Sequence, residues 1–528
     1  MAKRKRDEAH KKATGHEGFT KKVTILSQPK GAGPLLKDIG GVREVVSGNN
    51  IAGKTINGNS SRAPISAPAT KSSTSSKILR TEKHVDVKTE FPTIQIITGS
   101  YERVLHGISA NIVIQNDDLE ATFADSFLFN AHASAVRCLA LSPMPADSCQ
   151  GVYLATGGSD ERVNIYSLSA SPVPEADSKG RKVPSMPSLG PNKISENPMN
   201  RELGTLVQHS SSVTALHFPS RSKLLSASED NTISITRVRD LEVVSTVKAP
   251  KPKVAGQASG DSTDVGTAPA GVNDFAVHPS MKLMVSVGRG EKSMRLWNLV
   301  TGKKAGVLNF DRVVLQAVKE GKYSHGEGRK ISWNKDGSEF AIAFERGVVV
   351  FGQDSKPKCA LMPQRLTKIH QMAYLTMDNE KQLIAVSTED GKILFFDTMQ
   401  ATGSQDKIPV LSPVAYMGGE KQSIRNRIKD FQILDLTEHE YPGYLVVVGC
   451  SNGDVRLILV SKSELSKPNS DDGLVGMANK DVYTTGNRIT CLVAFLMLPP
   501  HDIEGGLSEA ESALGSDIDS EDSSVDEQ

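Results

Sequence analysis

The chain has 528 residues, 38% apolar and only 5% aromatic, and a formal charge of +1. That length holds one large all-β domain with tails, or two to three average domains. The near-neutral sum hides a split: Lys and Arg dominate the first 90 residues, whereas Asp502 to Glu527 carries acids and no Lys or Arg. No apolar run nears the roughly 18 residues a membrane span needs, and no apolar segment follows the basic start, so neither a span nor a signal peptide is expected.

Residues 1–90 are rich in Lys, Gly, Ser, Thr and Asn, with little apolar periodicity, and are expected to be a disordered basic arm. Lys3, Arg4, Lys5 and Arg6 open it, a cluster of the kind that directs nuclear import or binds nucleic acid. Residues 48–55, GNNIAGKT, fit the phosphate-loop pattern GxxxxGK[ST]. That chemistry requires a strand before the loop and a helix after it, so that backbone N–H groups point at phosphate. The following INGNSSRAP is poor helix material, which marks the match as chance.

Order is expected from residue 91. Segments 93–98, 103–109 and 121–129 read as strands, and then a repeating unit begins. The first copy is AHASAVRCLALSP…VYLATGGSDERVNIYSL, and the second, from His209, is HSSSVTALHFPSRSKLLSASEDNTISITRV. They align around a tight turn, Thr156 with Ser226 and Asp160 with Asp230. In WD repeats a loop His, a Ser/Thr, a turn Asp and a Trp share a buried hydrogen-bond network, so His132 and His209 are read as structural, not as metal ligands or bases. Tyr166 and Thr236 stand in the Trp position, so both networks are expected to be incomplete.

The third unit, residues 271–308, is the plainest: strands at 272–277, 282–287, 293–299 and 304–308, separated by Pro/Gly/Asn turn chemistry, with Trp297-Asn298 in the Trp-Asp place. A fourth covers 328–354, a fifth 368–397 and a sixth 427–460. Residues 487–498, NRITCLVAFLML, form one more strand with no partner after it, while the N-terminal set lacks an inner strand. The fold expected for residues 91–498 is therefore an all-β, seven-bladed WD-repeat β-propeller, its seventh blade closed by N- and C-terminal strands. Two smaller β domains are the alternative. Pro/Gly/Ser-rich insertions, about 169–201 and 249–270, are expected to be mobile loops.

Residues 499–528 read as a disordered acidic tail. Ser516, Ser520 and Ser524 precede acidic residues and are candidates for an acidophilic kinase. The five cysteines, Cys138, Cys149, Cys359, Cys450 and Cys491, show no CxxC spacing and read as reduced thiols. No nucleophile–base pair and no HExxH stands out. The reading is of a non-enzyme with no cofactor, metal or small-molecule substrate. In a WD blade the middle-strand turn and the loop entering the next blade share one face. That places Arg289 and Arg346, with Arg329, Arg425 and Arg488, together as a candidate cationic docking face.

The wording VNDFAVHPSMKLMVSVG…MRLWNLVTGKKA, with GSYERVLHGI and AHASAVRCLA…LATGGSDERVNIY, resembles the family of the fungal maintenance-of-killer protein and the animal PAK-interacting WD-repeat protein. The likeness spans about residues 93–460. This chain departs from the family in the insertion ending at Ala270 and in Gly288-Arg289-Gly290-Glu291-Lys292 at the third turn. The resemblance implies a nucleolar scaffold for assembly of the large ribosomal subunit, with pre-ribosomal proteins and rRNA as partners. Its alternative implication is an adaptor that negatively regulates a p21-activated-type protein kinase. Basic head and acidic tail favour the nuclear reading.

Overall fold

The computed structural model describes residues 89–499 except 116–117, 147–149, 173–196, 252–269, 322–323, 378–380, 401–406, 440, 467–472 and 480–481. All of these lie in one unit, Lys83–Gln528. Lys3, Arg4, Lys5 and Arg6, the 48–55 match, and Ser516, Ser520 and Ser524 fall outside the described residues.

Seven sheets follow one another around a closed ring, forming the seven-bladed β-propeller expected from the repeats. Blade 1 is Val136–Leu141, Val152–Gly158, Val163–Leu168 and Arg201–Leu206, from inner to outer strand. Blade 2 is Val213–Ser220, Lys223–Ser228, Thr232–Arg237 and Glu242–Lys248. In blade 3 the strands are Val272–Val277, Leu283–Gly288, Ser293–Asn298 and Lys303–Asn309. Blade 4 has Lys330–Trp333, Glu339–Ala343, Val348–Gly352 and Pro357–Leu361. Blade 5 comprises Ile369–Thr376, Gln382–Thr388, Lys392–Asp397 and Ala415–Gly418. Blade 6 comprises Ile428–Asp435, Gly443–Cys450, Asp454–Ser461 and a broken outer strand, Met477–Ala478 and Tyr483–Thr484.

Blade 7 joins the two ends. The last strand, Ile489–Leu496, lies innermost and pairs with Ile94–Ser100, which pairs with Val104–Gln115 and then Asp118–Asn130. Ile97 stands opposite Val493, and Ile96 opposite Ala494. Two separate β domains would have left these strands unpaired.

Burial explains the composition of each strand. Second strands lie between neighbouring blades, so both faces are covered and alternation disappears: Gly443–Cys450 is buried throughout. Outer strands meet solvent, and Lys303–Asn309 is mostly exposed. Phe340, Phe344, Phe351, Phe395 and Phe396 are fully buried between blades, each worth about 1.5–3 kcal/mol in transfer from water. Turn geometry is equally demanding. Gly391 has φ +77°, and a Cβ there would sit 2.8 Å from the Ile424 carbonyl oxygen, so a side chain is excluded twice over.

Three features were not expected. Residues 410–411 cross back to add a parallel strand outside blade 4, and residues 473–475 flank Tyr416 outside blade 5. Both additions cover edges that would otherwise present free backbone groups. A short helix, Arg312–Ala317, precedes blade 4. The first insertion is firmly held at its start, where Ala170 is fully buried and its carbonyl accepts the Leu498 N–H at 2.8 Å.

Candidate functional site

The His–Asp networks form inside blades 1 and 2. His132 Nδ1–H donates to Asp160 Oδ1 at 2.9 Å, and Thr156 Oγ1–H donates to its Nε2 at 2.8 Å. The Asp acceptor fixes the tautomer, because a carboxylate takes hydrogen bonds and gives none. His209 repeats this with Asp230 Oδ2 at 3.2 Å and Ser226 Oγ at 2.8 Å. Burial raises both carboxyls, but the Ala133 N–H and His132 at Asp160, and His209 and Thr232 at Asp230, outweigh it and hold both below the ordinary carboxylate value.

Blade 3 contains the indole: Trp297 Nε1–H donates to Ser286 Oγ at 2.8 Å. Blade 2 has no Trp, yet its network is complete, which corrects the expectation above. Gln208 Nε2–H donates to Ser226 Oγ at 2.7 Å, and Thr236 Oγ1–H donates to Gln208 Oε1 at 3.1 Å. A loop amide thus occupies the place of the indole N–H. In blade 1 Tyr166 is buried, and the Thr156 hydroxyl is held by His132 alone among the described residues.

These networks sit at the end of the propeller where middle-strand turns and entry loops emerge. At that end the inner strands begin, and each carries one residue directly after its first buried position. Bulges mark the site at 136–138, 272–274, 369–372 and 428–430, and bulges of this kind re-aim side chains. Around the ring the residues are Thr490, Arg137, Thr214, Asn273, Arg329, His370 and Lys429 in blades 7, 1, 2, 3, 4, 5 and 6. The neutral ones staple neighbouring blades. Thr490 Oγ1 donates to the Val136 carbonyl at 2.6 Å, Thr214 Oγ1 to Val272 at 2.7 Å, and Asn273 Nδ2 to Gly328 at 2.9 Å.

The other four are basic, and three of them, Arg329, His370 and Lys429, stand in consecutive blades. Burial, with Lys429, Lys368, Arg427 and Arg329 around it, pushes the His370 imidazole down to about 4. Its Nε2 is buried and has no hydrogen-bond partner among the described residues. Burial, with Arg427, Arg488 and Lys368 nearby, lowers Lys429 as well. Among the described residues Lys368 and Lys429 have no carboxylate within 4 Å, while Arg427 meets Glu389 at 3.4 Å.

One layer deeper, two aspartates tie blades together. Asp274 Oδ2 accepts the Ile331 N–H at 3.0 Å, and Asp430 Oδ2 accepts the Leu492 N–H at 3.0 Å. Burial raises both carboxyls above their ordinary value.

The five arginines singled out in sequence are not equivalent. Arg329 belongs to the basic arc and Arg488 borders it. Arg329 also faces Glu345 at 3.9 Å, and Arg488 lies over the exposed Tyr101 ring, 5.7 Å from its centroid. Arg289 is 3.4 Å from Glu229, which Arg137 also approaches at 3.4 Å. Arg346 is exposed, and Arg425 lines a cleft of about 600 Å³ with Arg365, Lys392 and Tyr416. The face is therefore mixed in charge at its rim and basic at the channel mouth. Lys368, His370, Arg427 and Lys429 were missed. Their signal was a basic residue beside the first apolar residue of an inner strand, meaningful only once the strands are ranged around an axis.

Among the described residues no group of three or more metal-ligating side chains converges, and no helix is long and apolar enough to cross a membrane. Burial pushes the Cys138, Cys359 and Cys450 thiols up to about 12, and these are free cysteines.

Residues 126–167 and 200–236 match the family described as "WD domain, G-beta repeat". The chain is 28% identical to Protein MAK11 of Saccharomyces cerevisiae, over 75% of this chain and 82% of that one. These proteins and the animal kinase-interacting ones are its homologues. Human p21-activated protein kinase-interacting protein 1 is 22% identical over 80% of this chain and 84% of its own length. Shk1 kinase-binding protein 15 of Schizosaccharomyces pombe is 24% identical over 81% and 91%. The resemblance drawn from the third unit thus extends over most of this WD-repeat chain, and the human and Schizosaccharomyces pombe proteins are named for binding a kinase.

Proposed function

We propose that this protein is a non-catalytic docking scaffold in assembly of the large ribosomal subunit, acting in the nucleus and nucleolus on pre-ribosomal particles. The observation that carries the reading is the basic arc at one channel mouth of a closed propeller, set beside an exposed aromatic. Such an end suits acidic or phosphate-bearing partners. The basic first segment and acidic last segment of the sequence suit the same RNA-rich compartment. Pre-ribosomal large-subunit proteins are the partners, with rRNA as a further contact.

A second reading has its own support. Several relatives are named for interacting with p21-activated protein kinase, and another for binding Shk1 kinase, which favours an adaptor that restrains a p21-activated-type kinase. Affinity purification, with mass spectrometry and RNA sequencing of what co-purifies, separates the two. Large-subunit proteins with precursor rRNA are expected. A kinase as the main partner, without precursor rRNA, would decide for the adaptor.

A further inference from the structure

Propeller geometry sets seven equivalent side chains around the channel mouth, and their identities are unevenly distributed. Blades 7, 2 and 3 use Thr490, Thr214 and Asn273 to bond a carbonyl of the next blade. Blades 4, 5 and 6 place Arg329, His370 and Lys429 there, and no such staple is formed by these three. Lys368 and Arg427, one position before the buried Ile369 and Ile428, add two more cations to the same sector. Placing like charges side by side is destabilising unless something offsets it. Here the offset from within the chain is partial: Arg427 has Glu389 and Arg329 has a distant Glu345, whereas Lys368, Lys429 and the buried His370 Nε2 have no acceptor among the described residues.

The geometry points to this arc, Arg329, His370 and Lys429 with Lys368 and Arg427, as a binding site for a single oxyanionic side chain inserted from a partner protein. The inference rests on the proposal that this end of the propeller is its docking end. It goes further by naming what the end recognises.

A protein side chain fits better than a nucleic-acid backbone, and the reason is the surroundings of the arc. Glu345 and Glu389 stand in the middle-strand turns of blades 4 and 5, at the rim of the basic sector beside Arg329 and Arg427, and Glu229 stands in the turn of blade 2 beside Arg137 and Arg289. A continuous polyanion laid across this end would meet those carboxylates. A segment with one phosphorylated or carboxylate side chain, flanked by Lys and Arg, would bring its anion to the arc and its cations to the rim. The side chain is a phosphoserine, phosphothreonine, Asp or Glu, and all four present oxygens to ammonium and guanidinium donors.

An anion seated beside His370 favours the charged imidazole. The groups facing it are Lys368 on its own segment, Arg427 and Lys429 from blade 6, and Arg329 from blade 4, with Glu389 engaged by Arg427. Proton uptake should therefore accompany binding, and affinity should rise as pH falls from about 7 to 5.

The test is fluorescence anisotropy with the full chain and four short probes. Three are Lys/Arg-flanked peptides with phosphoserine, Glu or Ser at the centre, and the fourth is single-stranded RNA. The phosphoserine and Glu peptides should bind at least about tenfold more tightly than the Ser peptide, and the tighter of the two shows which oxyanion the arc prefers. Arg329→Ala with Lys429→Ala should erase that preference, and Lys429→Arg should keep it. The Glu-peptide affinity should rise with acid in the unaltered chain and stay level in His370→Gln, an arm that stands even if the double variant folds poorly. Equal affinity for the Ser and phosphoserine peptides, no pH dependence, or RNA binding tighter than every peptide and lost in the double variant would each overturn the site. None of these measurements involves a ribosomal particle, so failure here is distinguishable from failure of the assembly role.

Discussion

The Thr490 hydroxyl donates to the Val136 carbonyl at 2.6 Å and lies 2.9 Å from that of Gly99. One side chain of the last strand therefore touches both the first blade and the strand it pairs with. Closure of the ring rests on that strand, because Ile489–Leu496 supplies the inner edge of a sheet made otherwise from the N-terminal strands.

Removing residues 487–498 should expose the edge of Ile94–Ser100 and uncover Ile97, Leu105 and Phe127, which pack against Val493 and Phe495. The truncated chain is expected to be insoluble or rapidly cut in limited proteolysis. A truncation that melts with the intact chain would contradict closure.

The two forms of the Ser/Thr network should respond alike. Trp297→Phe leaves Ser286 without its indole donor, and Gln208→Leu leaves Ser226 without its amide donor and the Thr236 hydroxyl without its acceptor. Each should cost about 1–3 kcal/mol, the penalty for orphaning a buried polar group, read as a lower denaturation midpoint. An unchanged midpoint for Gln208→Leu would show that the amide does not stand in for the indole.

Much of this fold was legible because turn chemistry and strand length recur six times. Blade 3 lies within one residue of its expected strands, since Pro, Gly and Asn punctuate it. The outer strand of blade 6 was not legible, because its two-residue pieces carry no periodicity. Gln208 was missed for another reason: its role depends on a loop folding under Thr236, and no spacing within a strand encodes that. The basic arc is similar, since His370 and Lys429 are 59 positions apart and become neighbours only through the ring. The glutamates beside Arg289 and Arg329 were not legible either, because Glu229 and Glu345 come from other turns.

Acid should weaken the fold through Asp160 and Asp230. Their carboxyls lie below the ordinary value in the folded state, so their contribution is present above about pH 4 and lost as pH falls through the folded value. Asp274 and Asp430, raised by burial, contribute with the opposite sign, losing stability as pH rises through their folded values. Asp160→Asn with Asp230→Asn should flatten the acid limb of melting temperature against pH. An unaltered limb would assign acid sensitivity elsewhere.

The basic cluster at the start of the chain carries the localisation proposal. Changing Lys3, Arg4, Lys5 and Arg6 together to Ala should move a fluorescent fusion toward the cytoplasm. Unchanged nuclear enrichment would place import in another segment or in a carried partner.

The central proposal is that the arginine-bearing end docks onto large-subunit precursors. Its most direct measurement is gradient co-sedimentation of a chain with Arg329, Arg425 and Arg488 all changed to Glu, alongside its melting temperature. The account predicts release from the precursors with melting unchanged, because none of the three is buried. Full co-sedimentation at an unchanged melting temperature would contradict it.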